Sequence, residues 1–203
     1  MKKMLVIGVV ACAFQGYSGS SMHEEIISRL SIPQSSFSAD YTNRLVRYAE
    51  QTNGHERATA LSALAVAMFD RFDEGGDVGA IDASAWYASN VVYDCSVASN
   101  SWQKAAASIV YASTFSQDGK FLKAYSVCTN AMSLAPQEPI SDSDRRIWNA
   151  LCRHHSSCGL NVGNALRFYA AMSSLMADAG LNCSEYTNAL PAEALSKIRQ
   201  ITE

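Results

Sequence analysis

Residues 120–136 read KFLKAYSVCTNAMSLAP, and this stretch decides the fold. Gly119 supplies a turn before it, and Pro136 ends it because proline cannot continue a helix. Small and apolar side chains recur at helical spacing on one stripe, namely Phe121, Ala124, Cys128 and Ala131, with Leu134 close beside them. Ala124 and Ala131 add little bulk, so they let a second helix approach closely. The stretch therefore predicts an amphipathic helix that packs through small residues.

The segment before it, residues 105–118, carries a second helical pattern. Together the two segments resemble one tetratricopeptide repeat, which is a pair of antiparallel helices. Tyr111, Ala112 and Phe115 stand where the first helix of that family has an apolar residue, a small residue and an aromatic. Residues 121–136 follow the order of its second helix: aromatic, Ala, a larger residue, Ala, then Pro. The resemblance implies an all-α fold, a right-handed array of antiparallel helix pairs (an α-solenoid), whose first helices line a groove for extended peptides.

Further helical patterns extend this array to four helix pairs and a C-terminal capping helix, in one domain over residues 21–203. Alanine is abundant and the chain holds only 4 prolines, which favours helices. The spacing of the small residues drifts between copies, so we expect a degenerate array instead of strict tandem repeats. The other predicted helices cover residues 22–30, 38–51 with Ser38 or Asp40 as the cap, 56–72, 82–97, 102–115, 142–155, 161–179 and 192–201.

Two predicted breaks and one predicted helix start mark the boundaries between these helices. The acidic, glycine-rich residues 73–79 predict the longest loop, and the Cys-Gly pair at 158–159 predicts a turn between two helices. Residues 141–144 read SDSD, which is typical of a helix N-terminus because a serine can cap it and carboxylates suit its positive end.

Residues 1–20 have the layout of a secretory signal. Lys2 and Lys3 give a cationic start, and residues 4–14 form an apolar run of about eleven residues, too short to span a bilayer core of about 30 Å. Two processing routes stay open, and the alternative to both is an uncleaved apolar start on a cytosolic protein. Signal peptidase would cut within residues 11–13 or after residues 18–20, or Cys12 would be lipidated, because residues 9–12 resemble a bacterial lipobox. We expect export to the bacterial periplasm or envelope, with membrane contact only through a lipid on Cys12.

Composition excludes some functions. The net charge is −3, and it becomes −5 without Lys2 and Lys3, so there is no basic footprint for nucleic acid. The sequence has no glycine-rich phosphate loop, nucleophile elbow or zinc-protease helix motif. We therefore expect no cofactor and no enzymatic activity. The alternative is a hydrolase in which His23, His55, His154 or His155 serves as a base.

Residues 152–158 read CRHHSSC and hold four side chains of the types that bind zinc. On one helix Cys152 and His155 are neighbours, but His154 points away from them, so we expect no metal site. Disulfides or buried thiols are the expected use, and Cys152 can bond Cys158 only if Cys158 lies past a helix end. No pairing is assigned among the cysteines, which are Cys95, Cys128, Cys152, Cys158 and Cys183.

One polar stripe suggests a binding face. Arg145, Asn149 and Arg153 recur every four residues, and guanidinium groups bind carboxylates through paired hydrogen bonds. The alternative is a solvated helix face on which Asp142 pairs with Arg146. We expect a scaffold or adaptor that binds a protein or peptide partner through this stripe; a hydrolase or a structural subunit of an envelope assembly are the competing hypotheses.

Overall fold

The computed structural model describes residues 10, 11, 13, 14, 19–30, 37–94, 100–135 and 141–178; beyond residue 164 it describes the backbone and Arg167. Within these residues the chain is all-helical, with seven long helices and no strand, as the composition predicts. The helices are α1 (Ser21–Leu30), α2 (Ala39–Gln51), α3 (Gly54–Gly75), α4 (Val78–Tyr93), α5 (Ser101–Gln117), α6 (Phe121–Leu134) and α7 (Asp142–Asp178). The predicted capping helix, residues 192–201, lies outside the described part, as do Cys12, Cys95 and Cys183.

The predicted start signals cap their helices. The Ser38 hydroxyl accepts a hydrogen bond from the Tyr41 amide at the start of α2, so Ser38 is the cap. At the start of α7 the Asp144 amide donates to the Ser141 hydroxyl, and the Ser141 amide donates to the Asp144 carboxylate. This reciprocal pair satisfies two backbone donors that the first turn leaves without partners inside the helix.

The prediction of a loop over residues 73–79 is wrong in its length, because most of these residues are helical. Helix α3 continues through Gly75 and stops at Gly76, whose φ of +67° lies in the left-handed region that favours glycine. The Gly76 amide then donates to the Phe72 carbonyl, and Asp77 already caps α4 by accepting from the Gly79 amide. Only two residues separate α3 from α4.

The expected turn at Cys158–Gly159 is also wrong, because α7 runs without a break from Asp142 to Asp178. A single glycine inside a helix costs only about 1 kcal/mol relative to alanine, and no proline follows it. The chain consists of two compact units, Met1–Ser156 and Ser157–Glu203, and the boundary between them lies within α7. In the second unit, Cys158 is buried and Leu160 is exposed.

Successive helices of the first unit pack against each other: α2 against α3, α3 against α4, α4 against α5, and α5 against α6. Alternate helices also meet, since α1 contacts α3 and α3 contacts α5. Helix α3 is buried at every position from 58 to 70, where alanine, serine and threonine supply seven of the thirteen side chains. Such small side chains let neighbours approach from all sides.

One buried polar bond ties two of these helices. The Ser84 hydroxyl of α4 donates to the Ala65 carbonyl of α3 over 2.7 Å. Ser84 is itself fully buried, so this bond removes the cost of an unsatisfied hydroxyl. None of the described helices is long and apolar enough to cross a membrane.

Candidate functional site

The three residues of the predicted binding stripe are exposed along α7. Arg145, Asn149 and Arg153 all face solvent, whereas Ile147 and Leu151, on the other side of the helix, are completely buried. The α7 stripe (Arg145, Asn149 and Arg153) therefore forms one side of an amphipathic helix.

Asp142 does not pair with Arg146, contrary to the solvated-face hypothesis. Its carboxylate lies 3.7 Å from Nε of Arg145, one turn along the helix. The Arg145 and Asp142 side chains are 63% and 89% exposed, and an ion pair this exposed contributes little to stability. The Arg145 guanidinium therefore stays accessible to a partner.

Aromatic contacts hold the first part of α7 in place. Trp148 meets Trp102 of α5 edge to face, with ring centroids 6.4 Å apart. His155 stacks on Tyr125 of α6 at 4.2 Å. Such contacts fix the helix that carries the stripe, and a fixed helix presents its side chains in a constant spacing.

The groove implied by the resemblance is not open on α5. On the helix that resembles the family's first helix, the groove face would carry Ala106, Ile109, Ser113 and Ser116. The first three are buried, and Ser116 is partly buried. The hydroxyl of Ser113 donates to the Ile109 carbonyl of its own helix. This face of α5 therefore belongs to the core, and α7 carries the exposed polar face.

Sequence reasoning missed a cluster around two neighbouring histidines, His23, which is buried, and His55, which is half-buried. The ring centroids of His23 on α1 and His55 on α3 lie 4.8 Å apart. The ring of Phe14 also contacts His55, with a centroid distance of 5.6 Å. The amide nitrogen of Gln103 on α5 lies at hydrogen-bond distance from Nδ1 of His55. The signal for His23 was its spacing, because it precedes the buried Ile26 and Leu30 by three and seven residues on one stripe.

Burial lowers the pKa of both histidines. For His23, desolvation is the largest cause, and the carboxylates of Glu56 and Glu24 oppose it. For His55, desolvation is again the largest cause, and the neighbouring His23 lowers the pKa further, while the hydrogen bond with Gln103 and the carboxylate of Glu56 oppose the shift. Both rings are therefore held neutral near pH 7.

Glu56 fastens the chain next to this pair. Its carboxylate accepts a hydrogen bond from the Ser20 amide over 2.9 Å, and the Ser20 hydroxyl lies 2.6 Å from the Tyr48 hydroxyl. The Ser20 amide is the main reason that the pKa of Glu56 is lowered. The carboxylate thus remains ionised to a more acidic pH than an ordinary glutamate.

Thr129 of α6 and His155 of α7 bring a hydroxyl and an imidazole together, as the hydrolase hypothesis would require. Thr129 Oγ1 lies 3.1 Å from Nε2 of His155, which is a distance typical of a nucleophile and its base. However, the Thr129 hydroxyl already donates to the Tyr125 carbonyl over 3.0 Å. A hydroxyl has one proton, so His155 must be the donor and does not act as a base toward Thr129 in this geometry.

The CRHHSSC segment lies within α7. Cys152 is half-buried and Cys158 is buried, and the helix continues past Cys158, so the condition for a bond between them is not met. Cys128 on α6 is a fully buried thiol, as its place on the small-residue stripe predicts. Among the described residues, no three His, Cys, Asp or Glu side chains are grouped so that they could hold a metal ion.

Large apolar side chains lie exposed on α4 and α6. Val78, Trp86 and Tyr93 on α4 are 70%, 60% and 59% exposed, and Leu134 on α6 is 60% exposed. Tyr93 and Leu134 also border a small cavity of about 40 Å³ between α4, α5 and α6. Exposed Leu134 departs from the sequence prediction, which placed it beside the buried stripe of α6.

Comparison of the chain with protein-family models, with curated proteins and with solved structures finds no match. What the chain does is therefore inferred from its own side chains.

Proposed function

We propose that the chain is an exported helical-repeat binding module, a scaffold or adaptor that holds a protein or peptide partner on the α7 stripe. The observation that carries the proposal is the exposure of Arg145, Asn149 and Arg153 together, on a helix whose other side is buried. Two guanidinium groups and an amide along about two helical turns suit a partner that offers carboxylates.

The packing of alternate helices supports a tetratricopeptide-like array, whose right-handed sense the proposal takes from the resemblance of residues 105–136. In such an array the first helices of successive pairs contact each other, as α1 meets α3 and α3 meets α5. The Trp102–Trp148 contact continues this order from α5 to α7. In this arrangement the first part of α7 takes the place of a first helix, the type that binds peptides in the family that the sequence resembles, although α7 continues where the second helix of the pair was expected.

The proposal includes export, because residues 1–20 combine a cationic start with an apolar run. Removal of Lys2 and Lys3 leaves a chain of charge −5, against which the arginines of α7 form a local positive patch. The periplasm or envelope of a bacterium, with Cys12 as the lipidation site in one route, is the proposed location.

A structural subunit of an envelope assembly is the second candidate. The exposed side chains of Val78, Trp86 and Tyr93 on α4 favour it, because a subunit surface would cover such residues. The binding-module proposal ranks first, because its three residues form a defined polar recognition surface. The hydrolase alternative gains nothing from the Thr129–His155 pair.

The experiment compares partner recovery for the wild-type chain and for Arg145→Ala/Arg153→Ala, each purified from the envelope fraction of the native host. Loss of one charge-assisted hydrogen bond costs about 1.5–3 kcal/mol of binding, so recovery should fall at least about tenfold. The Tm should stay nearly constant because exposed arginines contribute little to stability. The intact mass of the same preparation reports whether the chain begins after Phe14 or at a lipidated Cys12.

A matched control separates the stripe from a general loss of charge. Arg47→Ala/Arg71→Ala removes two exposed arginines from α2 and α3 instead. The control should recover the partner as the wild type does. Equal recovery by all three chains would remove the α7 stripe from consideration.

A further inference from the structure

The histidine pair joins the N-terminal segment to three helices. His23 is only 1% exposed, and neither of its ring nitrogens has a hydrogen-bond partner among the described residues. The backbone of Gly19 passes so close that an added Cβ would lie 2.5 Å from the His23 ring. Val10, Ala11, Ala13 and Phe14 are all buried, and Phe14 lies on His55. The segment therefore covers both rings.

The surroundings of the pair are mostly uncharged. Helix α3 contributes Glu56, and α1 contributes Glu24; both carboxylates favour a protonated ring. Helix α5 contributes the neutral Gln103, and the N-terminal segment contributes Phe14 and the Gly19 backbone. Desolvation outweighs the two carboxylates and lowers the pKa of each histidine.

The closeness of the two rings also favours a neutral pair. The ring centroids lie 4.8 Å apart, and the neighbouring His23 is the second cause that lowers the pKa of His55. The side-chain amide of Gln103, at hydrogen-bond distance from Nδ1 of His55, opposes this shift but does not outweigh desolvation.

We propose that His23 and His55 form an acid-sensitive latch, which holds the described residues of the N-terminal segment (10, 11, 13, 14, 19 and 20) against α1, α3 and α5 while both rings are neutral and releases them when a ring is protonated. The latch is a property of the unprocessed chain, because the processing proposed above would remove this segment in whole or in part. It does not depend on the α7 stripe, so its failure would leave the proposed binding function intact.

The pH range follows from the direction of the shifts. A released or unfolded histidine titrates near 6.5, whereas the folded pKa of each ring is lower. As the pH falls below 6.5, the released state takes up protons before the closed state, so the closed state loses stability. Glu56 keeps its charge in this range because its pKa is also lowered, so it continues to hold Ser20.

The first measurement is the Tm of the full chain between pH 7 and pH 5, after its mass has shown that residues 1–20 are retained. The Tm should fall by roughly 5 °C over this range. His23→Leu removes one titrating ring without leaving a buried nitrogen, so it should reduce the fall by about half or more. His155→Leu changes a histidine on α7 and should keep the wild-type pH dependence.

The second measurement locates the change and needs no variant. Amide hydrogen exchange, corrected for intrinsic rates, should accelerate at pH 5.5 in residues 10–30 before it accelerates in α5 and α6. Ring-proton resonances of two histidines should titrate below the ordinary histidine value of 6.5. The proposal is overturned if His23 and His55 titrate at 6.5 or above, if exchange rises uniformly along the chain, or if His23→Leu shows the full wild-type fall in Tm.

Discussion

At the residue scale, Tyr41 shows that a buried polar side chain can lack a hydrogen-bond partner. Its ring is buried beneath Arg29, whose guanidinium carbon lies 4.1 Å from the ring centroid, and Glu25 binds both Arg29 and Arg44. The hydroxyl has no hydrogen-bond partner among the described residues. Desolvation of the ionised form raises the pKa of Tyr41 to about 12. Nothing in the sequence indicates that this hydroxyl would be unsatisfied.

Tyr41→Phe should therefore stabilise the protein by about 1 kcal/mol, since it removes a buried polar group that makes no bond. Tyr48→Phe is the matched control, because the Tyr48 hydroxyl lies 2.6 Å from the Ser20 hydroxyl. That change should destabilise the protein by about 0.5–1.5 kcal/mol. Urea unfolding of both variants gives the two free energies. A loss of stability in Tyr41→Phe as large as in Tyr48→Phe would contradict the assignment.

The histidine pair marks the limit of sequence reasoning about single residues. His23 and His55 are 32 positions apart, and Gln103 is a further 48 positions along the chain. Periodicity places a residue on a face of its own helix, but it says nothing about which distant side chain meets that face. The pair could therefore not be found without the packing of α1, α3 and α5.

At the element scale, the sequence predicted helix starts better than helix ends. Ser38 and Ser141 cap α2 and α7 because a hydroxyl followed by a helical pattern has a local geometric meaning. Glycines were less informative: Gly76 ends α3 with a positive φ, whereas Gly159 lies within α7. The same residue type serves both purposes, and the tertiary environment decides between them.

Helix α6 offers a test of close packing at this scale. Ala124 is completely buried, and Ala131 is also buried but borders the cavity of about 40 Å³. Ala124→Leu should cost about 1–3 kcal/mol because the extra carbons have no space. Ala131→Leu should cost less, since part of its side chain can enter the cavity.

Ser126→Leu adds a similar bulk at an exposed position of the same helix and should change stability by less than about 0.5 kcal/mol. Chemical denaturation of the three variants gives the order. Equal midpoints and slopes for all three would mean that the small residues of α6 do not mediate helix packing.

At the scale of the whole molecule, composition was sufficient to predict an all-helical chain. The order of helix contacts, each with its neighbour and some with the next but one, is what a sequence rich in paired helical patterns favours. The burial of Ala106 and Ile109 was not predictable in the same way. Their apolar character suits either a peptide groove or the core, and only the packed chain distinguishes the two.

The exposure of the α7 stripe was predictable, because its polar side chains suit only one environment. Two arginines and an asparagine at four-residue spacing, opposite Ile147 and Leu151, can be buried only at a high cost. Their exposure therefore follows from the sequence, while their role in binding is the proposal that experiment must decide.

Site-specific photo-crosslinking tests that role most directly. A photoreactive residue in place of Asn149, introduced in the native host, should yield one discrete adduct that is lost when Arg145 and Arg153 are both changed to alanine. The same residue in place of Asn43, an exposed asparagine on α2, should yield no such adduct. The absence of an adduct from position 149, or the same adduct from position 43, would contradict the proposal that the α7 stripe holds the partner.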